Sequence, residues 1–285
     1  MPRLIYQITW PSQWLSQVEF LAWNLILKDI FHIHLFCYFF CLKTGSLVYN
    51  CLISFKIVGG ELVESRRKSQ SATFLEGEGD AWFSRNQQQL EYSDTPSIDV
   101  DFICESLKPF RGSVQNILEI GCGSAKKLSQ LTSHFEASGF GLDPSLMAIN
   151  KAKEITQLQD SKLNFEVGLA TDLPYSDGQF DLVFFGFCLY LIPPIETYKA
   201  IMEANRVLKC GGFLAILDFD YGRLKINPYK HAEGVFTHKN NYSQMFTSSG
   251  YYSILSKWSF NLTSDFFSLD REERVSIEVL YKEVL

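Results

Sequence analysis

The stretch that most constrains this chain runs from Asn116 to Ser124, NILEIGCGS. Ile117, Leu118 and Ile120 form a short apolar run suited to a strand buried on both faces, and it stops at a G-x-G pair, Gly121 and Gly123. The AKKLSQLTSHF that follows sets Leu128, Leu131 and Phe135 at helical spacing, so the order is strand, tight glycine turn, helix. A turn without Cβ atoms lets a ligand approach the backbone, and the helix N-terminus offers unpaired N–H groups to an anionic group. The pattern predicts a nucleotide-like ligand here, although a β-to-α turn with no ligand reads the same way. The dinucleotide fingerprint G-x-G-x-x-G fails, because its third glycine falls on Lys126.

The rest of the chain supplies strands and helices in alternation. DVDFICESL places Val100, Ile103, Cys104 and Leu107 on one helical face, and SGFGLDPS makes a second strand that ends at Asp143. Asp143 follows the glycine turn by about 20 residues, the distance at which nucleotide-binding folds set an acid against ribose hydroxyls. A carboxylate accepts two hydrogen bonds from a vicinal diol, but with Pro144 and Ser145 behind it Asp143 is equally a helix N-cap. LMAINKAKEI is the next helix, Leu163 to Val167 a strand, and Phe180 to Phe187 a continuously apolar strand that suits neither face to water. IETYKAIMEANRVL is a helix expected to turn Tyr198, Ile201 and Ala204 inward and to be closed by Gly211 and Gly212. A buried run from Phe213 to Phe219 follows. GYYSILSKWSF and RVSIEVLYK alternate as two closing strands. Ligands of open α/β sheets sit beyond the carboxyl ends of strands, where Gly121, Asp143, Asp172 and Phe187 all fall.

Glu119, two residues before Gly121, completes E-x-G-x-G, which resembles motif I of class I S-adenosylmethionine-dependent methyltransferases. The resemblance covers roughly Gly77 to Lys282, and the family's third glycine falls on Ala125. It implies an α/β fold: a three-layer Rossmann-like methyltransferase domain whose seven-stranded, mostly parallel sheet has the order 3-2-1-4-5-7-6 and a C-terminal antiparallel hairpin. It also implies S-adenosylmethionine as the cofactor. Gly121 and Gly123 would pack under its methionine half, Glu119 would help fix the turn, Asp172 would accept from the adenine amino group, and the Leu173 N–H would read the ring. GDAWFSRN resembles a W-F-x-R-N lid signature of related methyltransferases, so Arg85 is expected to pair with the cofactor carboxylate.

The acceptor is less determined. The stretch from 220 to 250 is an insertion rich in Tyr, His, Lys and Asn, where this fold usually builds its substrate pocket. Tyr229, His231 and Lys239 could bind or deprotonate an acceptor hydroxyl there, histidine having the pKa that suits a base near neutrality. PYKHAEGVFTHK and VSIEVLYK resemble bacterial enzymes associated with surface-sugar pathways, which implies methyl transfer to oxygen or nitrogen of a small molecule, a sugar derivative among them. A non-catalytic S-adenosylmethionine-binding subunit is the alternative. A net charge of −6 argues against a nucleic-acid partner. Seven cysteines without a C-x-x-C pair give neither a disulfide framework nor a zinc knuckle, and no metal is expected.

Residues 1–60 differ in composition from the rest, and 61–95 read as a linker and cofactor lid before a methyltransferase domain over 96–285. FLAWNLILKDIFHIHLFCYFFCL, residues 20–42, is long enough to cross a bilayer, yet Lys28 and Asp29 interrupt it, and each charge at mid-membrane costs about 2.5 to 3.5 kcal/mol. It reads as a membrane anchor, as a helical extension, or as translated sequence upstream of a true start. The thiol content and the lack of a signal-peptide pattern point to the cytoplasm, with membrane association through residues 20–42 as the alternative.

Overall fold

The structure, a computed structural model, describes residues 54–58, 61–65, 69–91, 97–157, 162–261, 264 and 266–284. The chain divides between Lys68 and Ser69 into two compact units. In the first, β1 (Ser54–Val58) and β2 (Glu61–Ser65) pair antiparallel, Ser54 opposite Ser65. The segment 20–42 lies outside the described residues, among which no helix is long and apolar enough to cross a membrane.

The second unit begins with one helical turn, Gln70–Thr73, capped by the Ser69 side chain, then a π-helical stretch, Phe74–Glu78, and α1 (Gly79–Glu91). Next come α2 (Ile98–Ser106), β3 (Asn116–Ile120), α3 (Lys126–Phe135), β4 (Ser138–Asp143), α4 (Leu146–Gln157), β5 (Leu163–Val167) and β6 (Phe180–Gly186). α5 (Pro194–Val207) and β7 (Leu208–Phe219) follow. Then a small hairpin, β8 (Lys225–Pro228) and β9 (Phe236–Lys239), precedes α6 (Tyr242–Thr247), β10 (Tyr252–Asn261) and β11 (Arg274–Lys282).

The main sheet runs β5-β4-β3-β6-β7-β11-β10. It is parallel from β5 to β7, while β11 lies antiparallel to both β7 and β10. Numbering these seven strands in order of appearance gives 3-2-1-4-5-7-6, the expected order. The period-two alternation of strands sorts the core into two layers. On one face Ile117, Leu182, Phe184 and Ala215 pack with Ile103 and Leu107 of the α2 end and Leu128 and Leu131 of α3. On the other Leu118, Val183, Phe185 and Leu214 pack with Ala200, Ala204 and Val207 of α5 and Phe246 of α6. Strands covered on both faces can be continuously apolar, which is why β3 and β6 read as unbroken runs.

Two expectations for α5 fail. Gly211 and Gly212 do not close the helix: it passes at Leu208 straight into β7, and the doublet sits within the strand, Gly211 at φ +77°. Phe180 faces Leu208 while Leu182 faces Phe213, so β7 bulges there, and an added Cβ on Gly212 would meet Leu208 Cδ1 at 2.8 Å. The inward face is Thr197, Ala200, Ala204 and Val207, and Tyr198 is exposed.

Candidate functional site

The glycine turn is built by tying β3 to the end of β4. The N–H groups of Gly121 and Cys122 both donate to Leu142 O, at 2.8 and 3.2 Å. Gly121 and Gly123 have φ of +76° and +53°, which favours glycine, and a Cβ on Gly121 would lie 2.7 Å from Cys188 Cβ. Ala125, at the family's third glycine, takes the same left-handed geometry at φ 62° as the N-cap of α3. Asp143, at the end of β4, accepts from Gly123 N at 2.9 Å through Oδ2 and from Ser145 N at 2.8 Å through Oδ1. It therefore fixes the turn and caps α4 together, with lone pairs left on both oxygens. Burial pushes its pKa up to about 6, against the pull of the two N–H donors, and the nearby Asp80 raises it further. Asp80 in turn accepts from Ser145 Oγ (2.6 Å) and Met147 N (2.9 Å), docking α1 onto the start of α4.

These elements enclose a cavity of about 530 Å³, within the usual range for small-molecule sites. Glu119, Gly121, Gly123, Asp143 and Phe187 all line it. Glu119 points from β3 toward the α2–α3 face and is 2% exposed, its Oε2 without a hydrogen-bond partner. Burial raises its pKa to about 8, with Lys127 opposing and Asp99 and Asp143 adding to the rise. Such an orphaned acceptor suits a ligand cation such as an ammonium. A smaller apolar pocket adjoins, sharing Phe74, Gly121, Pro144, Cys188 and Leu191 and walled by Gly168 to Thr171; it suits a flat heterocycle. The glycine cradle and the unpartnered Glu119 Oε2 thus fit S-adenosylmethionine.

Other expected residues stand elsewhere. Asp172 is exposed and outside both linings, although Gly168 to Thr171 beside it line the apolar pocket. The Leu173 N–H donates to Glu203 Oε2 at 2.8 Å and the side chain is buried, so it is not free to read a ring. Arg85 does not line the cavity: its Nη2 donates to Glu78 Oε1 at 2.5 Å and to the Tyr229 hydroxyl at 2.8 Å. Tyr229 and His231 are likewise outside it. The Tyr229 hydroxyl donates to Glu78 at 3.0 Å, and its pKa is pushed up to about 12 by burial and by Glu78, which removes it as a base at neutral pH. His231 is exposed, packed edge-on against Tyr229. The buried histidine of the insertion is His238, whose pKa is lowered by burial.

Trp82, Tyr190 and Leu191, which residue-type reasoning passed over, line the cavity. Trp82 stands in the W-F-x-R-N stretch, and the one sequence signal for Tyr190 and Leu191 is position: they follow the β6 end closely, in the short helical turn Leu189–Leu191. Asp218 holds that turn, accepting from Tyr190 N at 3.2 Å.

Comparison with known proteins agrees with this geometry. Residues 117–212 match the family model described as a methyltransferase domain. An uncharacterized methyltransferase of Synechocystis sp. is 35% identical over 107 residues, 36% of this chain and 47% of that protein. Ajmaline N-methyltransferase of Rauvolfia serpentina is 32% identical over 105 residues, 36% of this chain and 35% of that protein. The chain thus spans less than half the length of these relatives. Among solved structures, 1,6-didemethyltoxoflavin-N1-methyltransferase of Burkholderia thailandensis, with S-adenosylhomocysteine bound, superposes with a TM-score of 0.57 at 11% identity, covering 84% of this chain and 99% of that one. A Pyrococcus horikoshii protein gives 0.50 at 20% identity over 70% of this chain and 99% of its own. These two likenesses establish the fold. Residues 117–212 are thus similar to a methyltransferase domain, carried on a Rossmann-like fold.

Proposed function

We propose that this protein transfers a methyl group from S-adenosylmethionine to an oxygen or nitrogen of a small-molecule acceptor. The observation that supports it most is the Asp143 carboxylate bonded to the Gly123 N–H at the rim of a cavity that also holds the orphaned Glu119. Bound there, S-adenosylmethionine would supply an electrophilic sulfonium methyl to an acceptor lone pair, with a neutral thioether as leaving group and the acceptor's proton passing to water or a base. The protein's own share is to hold and align. Gly121 and Gly123 admit the ligand to the backbone, Asp143 receives the ribose diol, Glu119 receives the ammonium, and the lid of residues 69–91 excludes water. Alignment of this kind supplies much of the acceleration when the leaving group is a neutral thioether. Arg85 belongs to that lid, and it and Tyr229 both bond Glu78, which joins α1 to the β8–β9 hairpin.

Small molecules are also what the names of several relatives describe, a demethylmenaquinone methyltransferase of Staphylococcus carnosus among them. A surface-sugar derivative remains an acceptor to be tried. Calorimetric titration of the whole chain with S-adenosylmethionine, S-adenosylhomocysteine and NAD tests the reading. Tight binding of the first two is expected; binding of NAD alone would overturn it, and binding without turnover on any acceptor would favour the non-catalytic subunit.

A further inference from the structure

The charges of the cavity wall are not spread evenly. Its four ionisable side chains of clear sign, Glu119, Lys126, Lys127 and Asp143, all come from β3, the start of α3 or the end of β4. Lys127 is further tied to Asp99 at 2.6 Å. The wall contributed by α1, the β6–α5 connection and β7 carries instead Trp82, Phe187, Tyr190, Leu191 and Leu217, beside the neutral Gly79, Asn86 and Cys188, with no charged group among the described residues. The zwitterionic end of the cofactor belongs with the first set, which leaves the second for the acceptor.

That second wall is organised. Phe187, Tyr190 and Phe219 pack in a triangle, with ring centroids 5.2 Å (Phe187–Tyr190), 5.2 Å (Phe187–Phe219) and 5.3 Å (Tyr190–Phe219) apart. Phe187 holds its place at φ 65°, a conformation that costs a non-glycine residue about 1 kcal/mol or more and that collects at functional sites. Its N–H is pinned to Leu217 O at 3.0 Å. Trp82 and Tyr190 line the cavity together, and the Tyr190 hydroxyl carries one hydrogen to donate. Burial raises the Tyr190 pKa, keeping that hydrogen in place at neutral pH. The nearest cation to the triangle, Lys239, lies 4.2 Å from the Phe219 ring, is paired with Glu272 at 3.2 Å and does not line the cavity.

We propose that the acceptor is a planar, uncharged aromatic or heteroaromatic molecule bearing an O–H or N–H group, seated on Phe187 and Tyr190 and hydrogen-bonded by the Tyr190 hydroxyl. Offset or edge-on packing on these rings rewards a flat π-face, whereas a phosphorylated sugar would place its charge against a wall with no counter-charge. The assignment rests on the methyltransferase reading and sharpens it.

The test uses the whole chain saturated with S-adenosylhomocysteine and titrated calorimetrically with 2-naphthol, 8-hydroxyquinoline, glucose 1-phosphate and methyl glucoside. The two planar probes are expected to bind at least about tenfold more tightly than either sugar, and Tyr190→Ala to weaken them about five- to tenfold, the size of one aromatic contact. S-adenosylhomocysteine affinity should stay within about twofold, since Tyr190 is assigned to the acceptor. If Tyr190→Ala melts early, Trp82→Leu on the half-buried α1 is judged by the same criterion. Preference for a sugar probe, or planar binding indifferent to both substitutions, overturns the proposal while leaving methyl transfer intact. Failure of S-adenosylhomocysteine itself to bind overturns both.

Discussion

Asp143 braces the glycine turn and caps α4 with one carboxylate, and a single substitution tests whether it also holds a ligand. Asp143→Ala should weaken S-adenosylhomocysteine by about 1 to 3 kcal/mol in calorimetric titration, the range for a lost hydrogen bond at a buried partner. An unchanged affinity would leave it only a turn brace and helix cap. Glu119 makes a pH prediction. Its folded pKa, about 8, stands above the ordinary 4.5, so the folded chain holds this proton more tightly than the unfolded one. The stability it contributes is present in full below pH 4.5 and is lost as pH rises through 8. The melting temperature of the ligand-free protein should therefore decline between about pH 5 and pH 8, and Glu119→Gln should flatten that decline. A slope identical in the variant would show that another group carries it. At this scale the glycines and Asp143 were legible because their roles follow from backbone conformation and spacing. Tyr229 and His231 were not, because residue type alone does not say which way a side chain points.

Among the elements, the loop from Leu173 to Asp177 depends on α5. Arg206 donates to Leu173 O (3.0 Å), Tyr175 O (2.7 Å) and Asp177 Oδ1 (2.8 Å), and also to Glu203, which itself accepts the Leu173 N–H. Arg206→Ala should lower the unfolding free energy read from urea melts by about 1 to 2 kcal/mol for a partly exposed charged hub, and should raise the KM for S-adenosylmethionine through Gly168 to Thr171, which lead into this loop and wall the apolar pocket. Loss of stability with no change in KM would confine Arg206 to a structural role. At the same C-terminal end of the helix the Lys282 ammonium donates to Asn205 O (2.6 Å) and Leu208 O (2.8 Å), closing with β11 the helix end that Gly211 and Gly212 were expected to close. A cap that arrives from 74 residues away leaves no local signal, while a glycine doublet leaves a strong one that here marks a bulge.

For the molecule as a whole, the unit from Ser69 to Leu285 holds the entire sheet and both core layers. A chain beginning at Leu62 should remain monodisperse and bind S-adenosylhomocysteine with unchanged affinity, measured by light scattering and calorimetry. Aggregation or lost binding would show that the preceding residues support the domain. The strands were legible as short apolar or alternating runs, with the glycine turn marking the first of the main sheet, while the sheet order came from the family resemblance. Periodicity misplaced Tyr198, since a helix face is decided by which neighbour covers it. By itself the sequence determined the alternation of strand and helix, the glycine turn and the acid at the second strand end, all local consequences of backbone geometry and spacing. Only the tertiary structure decided that Leu173 answers to Glu203, that Arg85 and Tyr229 meet over Glu78, and that Trp82, Phe187 and Tyr190 share one wall. Those contacts join residues far apart in the chain, and nothing but packing brings them together.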